Sequence, residues 1–329
     1  MPIPSLIRRL LRPSVYFLRR SLRRLNDVVR PLLPWDGAHH PVLDRFPPFC
    51  GEADGKFSYD SFGVKTDPRF RPQLKPSPAG PLSTSHPEPY APYFELVFVL
   101  ESVAEAGDSY TMVELGAGYG PWMVTAHQAL QQLGPRPVRL VGVEMVPHHF
   151  EWMHDHFRNN GIDPAGQRLI HAAVSDAEGE AIYMPEKNPL LDFGQSLLQR
   201  GLPTEGTSPA GGARIRGDRP VRIPCIVLGP LLSELDAVDM MHVDIQGEEL
   251  RVLTHAAEAI DDKVRRLFVA THSRAIHRRL RQLMIRLGWR IVYDFDYRKR
   301  VRTPFGDVQF LDGLLACLNP KRASQRERM

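Results

Sequence analysis

The sequence predicts an α/β protein built on a mostly parallel sheet, covered by helices on both faces and closed by an antiparallel last strand. Three observations predict it. From residue 93 onward, short apolar runs alternate with segments of helical spacing, and that alternation gives a parallel, doubly covered sheet. The last two runs have no long helix between them, so they should pair antiparallel. The first run ends in a glycine-rich turn, Glu114-Leu115-Gly116-Ala117-Gly118-Tyr119-Gly120, directly before a helical segment.

In chain order, residues 1–30 form the first unit. Ile7, Leu11, Val15, Leu18, Leu22, Leu25 and Val29 recur at steps of three and four, which places them on one helical face. Pro13 would kink this helix or serve in its first turn. The segment holds eight arginines and one acid, Asp27. It suits a helix lying on an anionic membrane surface, where each basic residue is worth about 1 kcal/mol. It equally suits a helix packed on its own domain or a second subunit, or an arginine-rich presequence.

Residues 31–92 carry 13 of the 30 prolines, which excludes long helices and central strands. The expectation there is an extended, partly ordered arm, pinned by Trp35, Phe46, Phe49, Phe57, Tyr59, Phe62 and Phe70 and covering the mouth of a site.

The main domain is expected over 93–320. It opens with a helix at 93–106, followed by strands at 110–115, 138–144, 169–174, 239–244, 265–271, 289–294 and 308–317. Helices are expected at 122–133, 147–160, 247–259 and 274–287. The stretch 185–220, rich in Pro, Gly and Ser, reads as an insertion loop, and 321–329 as a polar tail.

Composition narrows the function. The net charge is +4, but residues 1–30 contribute +7, so the remaining 299 residues carry −3. A nucleic-acid enzyme would more often gather positive charge around its cleft, so no nucleic-acid partner is expected. Three scattered cysteines, Cys50, Cys225 and Cys317, give neither a disulfide framework nor metal-like spacing. No run of about 18 uncharged apolar residues predicts a spanning helix. The expected setting is cytoplasmic, with peripheral contact to an inner membrane surface through residues 1–30.

The glycine turn carries the strongest chemical signal. Gly116 and Gly118 let the backbone turn tightly and approach a ligand, and the helix beginning near Pro121 offers free N–H groups. A dinucleotide and a methyl donor compete for such a turn. The third glycine, Gly120, does not complete G-x-G-x-x-G, because position 121 is proline. Glu114 would repel a pyrophosphate but attract the ammonium of a methionine moiety. Glu144, 28 residues after Gly116, can accept both ribose hydroxyls in either class and does not discriminate. The turn therefore favours the methyl donor.

Two further constellations converge on the same end of the sheet. His242-Val243-Asp244-Ile245-Gln246-Gly247-Glu248-Glu249 ends one strand and starts a helix, so Asp244 points at the crevice or caps that helix. The next strand ends Ala270-Thr271-His272-Ser273, where His272 is a candidate proton acceptor. The remaining histidines, including the pairs His39/His40 and His148/His149, read as surface residues.

With these pieces in order, residues from about 93 to 318 resemble the FkbM-type methyltransferases. The likeness lies in ELGAGYG at 114–120, VGVE at 141–144, AAVSDAEGE at 172–180, HVDIQGEELRVL at 242–253, ATHS at 270–273, LGW at 287–289 and DG at 312–313. The resemblance implies a class I methyltransferase (Rossmann-like) fold, a seven-stranded sheet with an antiparallel last strand, using S-adenosylmethionine. It implies O-methylation of a hydroxyl on a sugar, glycolipid, polysaccharide or secondary metabolite. By position, Glu114, Gly116 and Gly118 would line the methionine end of the donor, Glu144 would hold its ribose, Ser175 and Asp176 would lie by the adenine, and Ala117, Gly120 and Asp244 would also belong to the donor site. Asp244, Glu249 and His272 would face the reacting hydroxyl, with His272 and Asp244 as the catalytic pair. A divalent metal at Asp244 with Glu249 or His272 is the less favoured variant. Rival functions are a non-catalytic donor-binding scaffold and a nitrogen methyltransferase acting on protein or RNA. No Asn/Asp-Pro-Pro motif follows the fourth strand to support the latter.

Overall fold

A computed structural model describes residues 33–71, 73–186, 188–202, 220–297 and 299–322. The arginine-rich segment 1–30, part of the 185–220 insertion and most of the 321–329 tail lie outside the described residues.

The arm contributes β1 (Cys50–Ala53), β2 (Ser58–Tyr59), β3 (Lys65–Thr66) and β4 (Gly80–Ser83), which pair as β1–β4 and β2–β3. Its proline density keeps these strands to four residues or fewer, since each proline removes a ladder donor. Phe46, Phe62 and Phe70 are buried and act as anchors, whereas Trp35 remains 39% exposed and only donates to the carbonyl of Ala38. Val42, Leu43, Phe46, Phe62 and Val64 join the apolar cluster around α1 (Ala91–Ala104), so the arm is packed on the domain rather than loose.

The domain follows as β5 (Tyr110–Leu115), α2 (Pro121–Gln132), β6 (Val138–Glu144), α3 (Pro147–Asn159), β7 (Arg168–His171), β8 (Ala173–Ser175), β9 (Gly179–Tyr183), β10 (Leu197–Leu202), β11 (Val221–Val227) and α4 (Leu228–Ser233). It continues with β12 (Val238–Val243), α5 (Glu249–His255), α6 (Ala257–Lys263), β13 (Val264–Thr271), α7 (Arg274–Arg286), β14 (Arg290–Phe295), β15 (Arg300–Thr303), β16 (Gly306–Gln309) and β17 (Gly313–Leu318).

The main sheet has seven strands in the order β14-β17-β13-β12-β5-β6-β7. The pairs from β13 through β7 are parallel, and β17 runs antiparallel between β13 and β14. This strand order, with helices on both faces, is that of the class I methyltransferase fold. Every residue of β12 and β17 is buried, as expected for strands covered on both sides. The chain moves outward from β5 through β6 to β7 and then returns to β12. The switch point therefore lies between the carboxyl ends of β5 and β12, where such sheets bind ligands.

Three expected elements are divided. The run 169–174 splits into β7, in the main sheet, and β8, which pairs with β11 in a second sheet ordered β10-β9-β11-β8. The run 308–317 breaks between β16, hairpinned to β15, and β17. A side chain at Gly313, where β17 begins, would meet Nδ1 of His277 at 3.0 Å. The helix expected at 247–259 divides at Ala256 into α5 and α6. Part of the expected insertion loop is regular, since Leu197–Leu202 pairs with β9.

Candidate functional site

A cavity of about 690 Å³ lies at the switch point, within the range of small-molecule sites. Its floor is the turn after β5. Gly116 and Gly118 adopt left-handed φ values of +71° and +55°. A side chain on Gly116 would collide with the carbonyl oxygen of Asp244, so this position joins the ends of β5 and β12. Gly120, also left-handed, does not line the cavity; a Cβ there would press on Phe157 and Met153, which makes its role packing of α3.

Glu114 is 1% exposed, lines the cavity, and accepts a hydrogen bond from the backbone N–H of Met123 at 3.1 Å. Burial pushes its carboxyl up to about 7, against the nearby His242 and the backbone donors, which lower it. Glu144 accepts from the N–H groups of Gly118 and Val146, each at 2.7 Å, and burial likewise pushes it up to about 7. Each of its oxygens keeps a second lone pair. Both carboxylates thus face the cavity with their charge incompletely compensated, and a cation or hydroxyl donor entering there would relieve that penalty.

Asp244 also lines the cavity, where it accepts a hydrogen bond from the Gln246 amide at 2.9 Å, and burial raises it to about 6. His272 and Glu249 are not among the lining residues and stand behind it. His272 places Nε2 3.3 Å from Asp244 Oδ1 and Nδ1 2.7 Å from Glu249 Oε1. Glu249 is fully buried and also accepts from the N–H of Gly247. Burial opposes charge on His272, but the Glu249 hydrogen bond and the two carboxylates outweigh it and raise its pKa. The structure therefore joins Asp244, His272 and Glu249 in one chain of contacts, with Asp244 alone reaching the cavity. Gln246 has a φ of +50°, unusual for a side-chain-bearing residue, and this turn is held by the Ser196 hydroxyl on its carbonyl.

Ser175 and Asp176 are also set back from the lining, where Ala172, Ala173 and Val174 stand instead. Ser175 is buried, and Asp176 is engaged by Arg251 at 3.0 Å. Together with Met145, Val146 and Leu197, these residues give that end of the cavity an apolar character.

Several lining residues had no local signal. Phe193, from the insertion, stacks on His149 at 4.0 Å and would touch a side chain on Gly118. His149 and His156, read as surface residues, are buried; burial lowers the pKa of His156 to about 4. Phe70 from the arm stacks on Trp152 and tilts against Tyr119, while Arg71 lies over Phe193 at 4.3 Å. Asp60, Gln73 and Tyr90 also line the cavity, so the arm forms one of its walls. His242, within the second motif, lines the cavity 3.3 Å from Glu95 of α1. Only the strand alternation that puts positions 242 and 244 on one face could have signalled it.

No family model matches the chain. A curated protein from Jannaschia sp. (strain CCS1), described as "Putative methyltransferase", is 29% identical over 206 residues, covering 62% of this chain and 71% of that protein. Solved structures similar to this chain include the precorrin-6Y C5,15-methyltransferase from Geobacter metallireducens GS-15, at 11% identity and a TM-score of 0.37 over 69% of this chain and 88% of the other. The methyltransferase FkbM from Methylobacillus flagellatus KT is 14% identical with a TM-score of 0.37, over 64% of this chain and 44% of the other. The curated relative supports methyltransferase homology. The fold assignment rests on strand order.

Among the described residues, no group of three or more His, Cys, Asp or Glu side chains is arranged to hold a metal ion. No helix among them is long and apolar enough to cross a membrane.

Proposed function

We propose that this protein is an S-adenosylmethionine-dependent methyltransferase of the FkbM type that methylates a hydroxyl acceptor. The observation carrying this reading is Glu114: a carboxylate 1% exposed, facing a cavity floored by Gly116 and Gly118, with its pKa raised by burial. A ligand ammonium beside it would restore the ionised form. A pyrophosphate there would add a second anion and raise the penalty. Glu144, held by two backbone donors, has lone pairs left for ribose hydroxyls, and the apolar stretch from Met145 to Val174 suits an adenine.

The donor would supply an electrophilic methyl group on a positively charged sulfur. The chain's own residues then align the acceptor and take its proton. Asp244 would do the latter: it lines the cavity, and burial raises its basicity. His272, anchored by Glu249, stands where it can orient Asp244 and carry the proton onward. The carboxylates of Glu95, Glu114, Asp244, Glu248 and Asp312 along the cavity disfavour a polyanionic acceptor. A neutral, hydroxyl-rich group such as a sugar, glycolipid, polysaccharide or secondary metabolite fits that field better than a nucleic acid. Contact of residues 1–30 with an inner membrane surface would bring such an acceptor close, and it rests on sequence alone.

The test has two parts. Calorimetric titration with S-adenosylhomocysteine should show binding. Incubation with a methyl-tritiated donor and separated glycan, lipid, protein and RNA fractions should then label glycan or lipid as an alkali-resistant ether. Label confined to protein or RNA would overturn the glycan or lipid acceptor, and an absence of binding would overturn the donor.

A further inference from the structure

We propose that α7 and the segment after β14 form a cationic face that seats the mouth of the cavity on an anionic lipid bilayer. α7 carries Arg274, Arg278, Arg279, Arg281 and Arg286 and no acid. His277, Leu280, Leu283 and Met284 make up its buried side, whereas all five arginines are exposed. Arg281 reaches Asp294 at 2.6 Å and Arg274 comes within 3.9 Å of Asp296, but Arg278, Arg279 and Arg286 meet no carboxylate among the described residues. Helix stability does not account for this set. A cation in the first turn opposes the helix dipole, and Arg274 and Arg278 repel one another at a spacing of four.

The topology puts these cations beside the cavity. β13 and β14 both run antiparallel to β17, so their carboxyl ends lie together at the end of the sheet that holds the cavity. α7 starts there, and so does the segment bearing Lys299 and Arg300, both exposed. A side chain on Gly313 would meet Nδ1 of His277 and the backbone nitrogen of Tyr297, each at 3.0 Å. The first turns of α7 and the segment after β14 therefore close on each other at the start of β17. Asp312, one residue earlier, lines the cavity, and Leu311 before it is 71% exposed.

Charge distribution and side-chain type select the partner. Residues 274–302 hold ten Lys and Arg against Asp294 and Asp296, a net +8; residues 1–30 carry +7, so the other 270 residues carry −11. A negative surface attracts this face and repels most of the rest, which turns the cavity toward it. The exposed large apolar side chains here, Leu311 and Ile285, are aliphatic. They suit the acyl boundary of a bilayer, where apolar burial adds to charge attraction, and they offer no ring for a nucleobase to stack on. The partner is thus a membrane with acidic headgroups, met by a folded surface separate in sequence from residues 1–30.

The experiment is sedimentation of the full chain with two kinds of vesicle, phosphatidylcholine alone and phosphatidylcholine with about one-third phosphatidylserine. Wild type should bind the acidic vesicles and leave the neutral ones, and added salt should weaken the binding. The triple variant Arg274→Gln, Arg278→Gln, Lys299→Gln should bind the acidic vesicles about 100-fold more weakly, at about fivefold per cation. Leu311→Ser should bind them about tenfold more weakly. All four side chains are exposed and none lines the cavity, so both variants should melt at the wild-type temperature, which shows that they fold. Both retain residues 1–30, so the losses belong to this face. Wild-type affinity in either variant, equal binding to neutral vesicles, or no binding by wild type would overturn the proposal. Tighter binding to polyuridylate than to the acidic vesicles would also overturn it, by assigning the face to nucleic acid. Titration of the same samples with S-adenosylhomocysteine tests the donor reading separately.

Discussion

Gly118 shows how much of the site rests on single positions. Its φ of +55° costs a side-chain-bearing residue roughly 1–2 kcal/mol, and a Cβ there would already stand 3.4 Å from the Phe193 ring. Its N–H also holds Glu144. Gly118→Leu should therefore abolish measurable S-adenosylhomocysteine binding, because the side chain fills the donor space and displaces both Phe193 and Glu144. Calorimetry giving wild-type affinity for this variant would remove the assigned pocket. His272 supports a different expectation, since it stands behind Asp244 and outside the lining. His272→Ala should retain donor affinity while losing about 10²-fold or more in turnover on the acceptor that labelling identifies. Turnover at the wild-type rate would show that His272 neither orients Asp244 nor carries its proton onward. The variant should also lose roughly 3 kcal/mol of stability, because Glu249 is fully buried and would lose its cationic partner.

Between elements, the arm packs against α3 beside the cavity. Phe70 is fully buried, 5.3 Å from Trp152 and 5.2 Å from Tyr119 between ring centroids. Phe70→Ala should cost about 3–5 kcal/mol locally and release the arm before the sheet unfolds. Hydrogen exchange should then rise across the arm strands β2 and β3 while the central strands β5 and β12 stay protected, and S-adenosylhomocysteine affinity should fall. Unchanged exchange in the arm would show that Phe70 does not pin it. The central strands were legible because burial on both faces leaves near-continuous apolar runs such as Tyr110–Leu115 and Val238–Val243. The glycine turn was legible because positive φ demands glycine at Gly116 and Gly118. The division at Ala172 was not, since a strand changing sheets keeps the same apolar pattern on either side. Nor could local pattern show that Phe70, His149 and Phe193 meet, for they come from an arm, a helix and an insertion far apart in the chain. His242 belonged to the second motif without a role of its own, because only the fold brings Glu95 and Glu114 close to it.

Across the whole molecule, these buried groups make stability depend on pH. Burial raises Glu114 and Glu144 to about 7, so the folded chain holds their protons at pH values where the unfolded chain has released them. Stability must fall as pH rises through that window. His242 and His272 act in the same direction, because raised folded values give stability that is present below about 6.5 and lost as pH climbs through them. His156, lowered to about 4, acts the opposite way, but only as pH falls below 6.5. Asp176, Asp261 and Asp294, all lowered, lose their contributions at still more acidic pH. Above pH 6.5 the site groups therefore share one sign. The melting temperature of the unliganded chain should fall between about pH 6.5 and 8, and Glu114→Gln should flatten the slope. Saturating S-adenosylhomocysteine should flatten it too, because its ammonium offsets the carboxylate that ionisation exposes. Thermal unfolding across that range, with and without the ligand, separates this from an ordinary surface-charge effect. Added salt screens surface charges and leaves buried ones nearly untouched, so a slope that vanishes in 0.5 M salt would locate its cause outside the cavity.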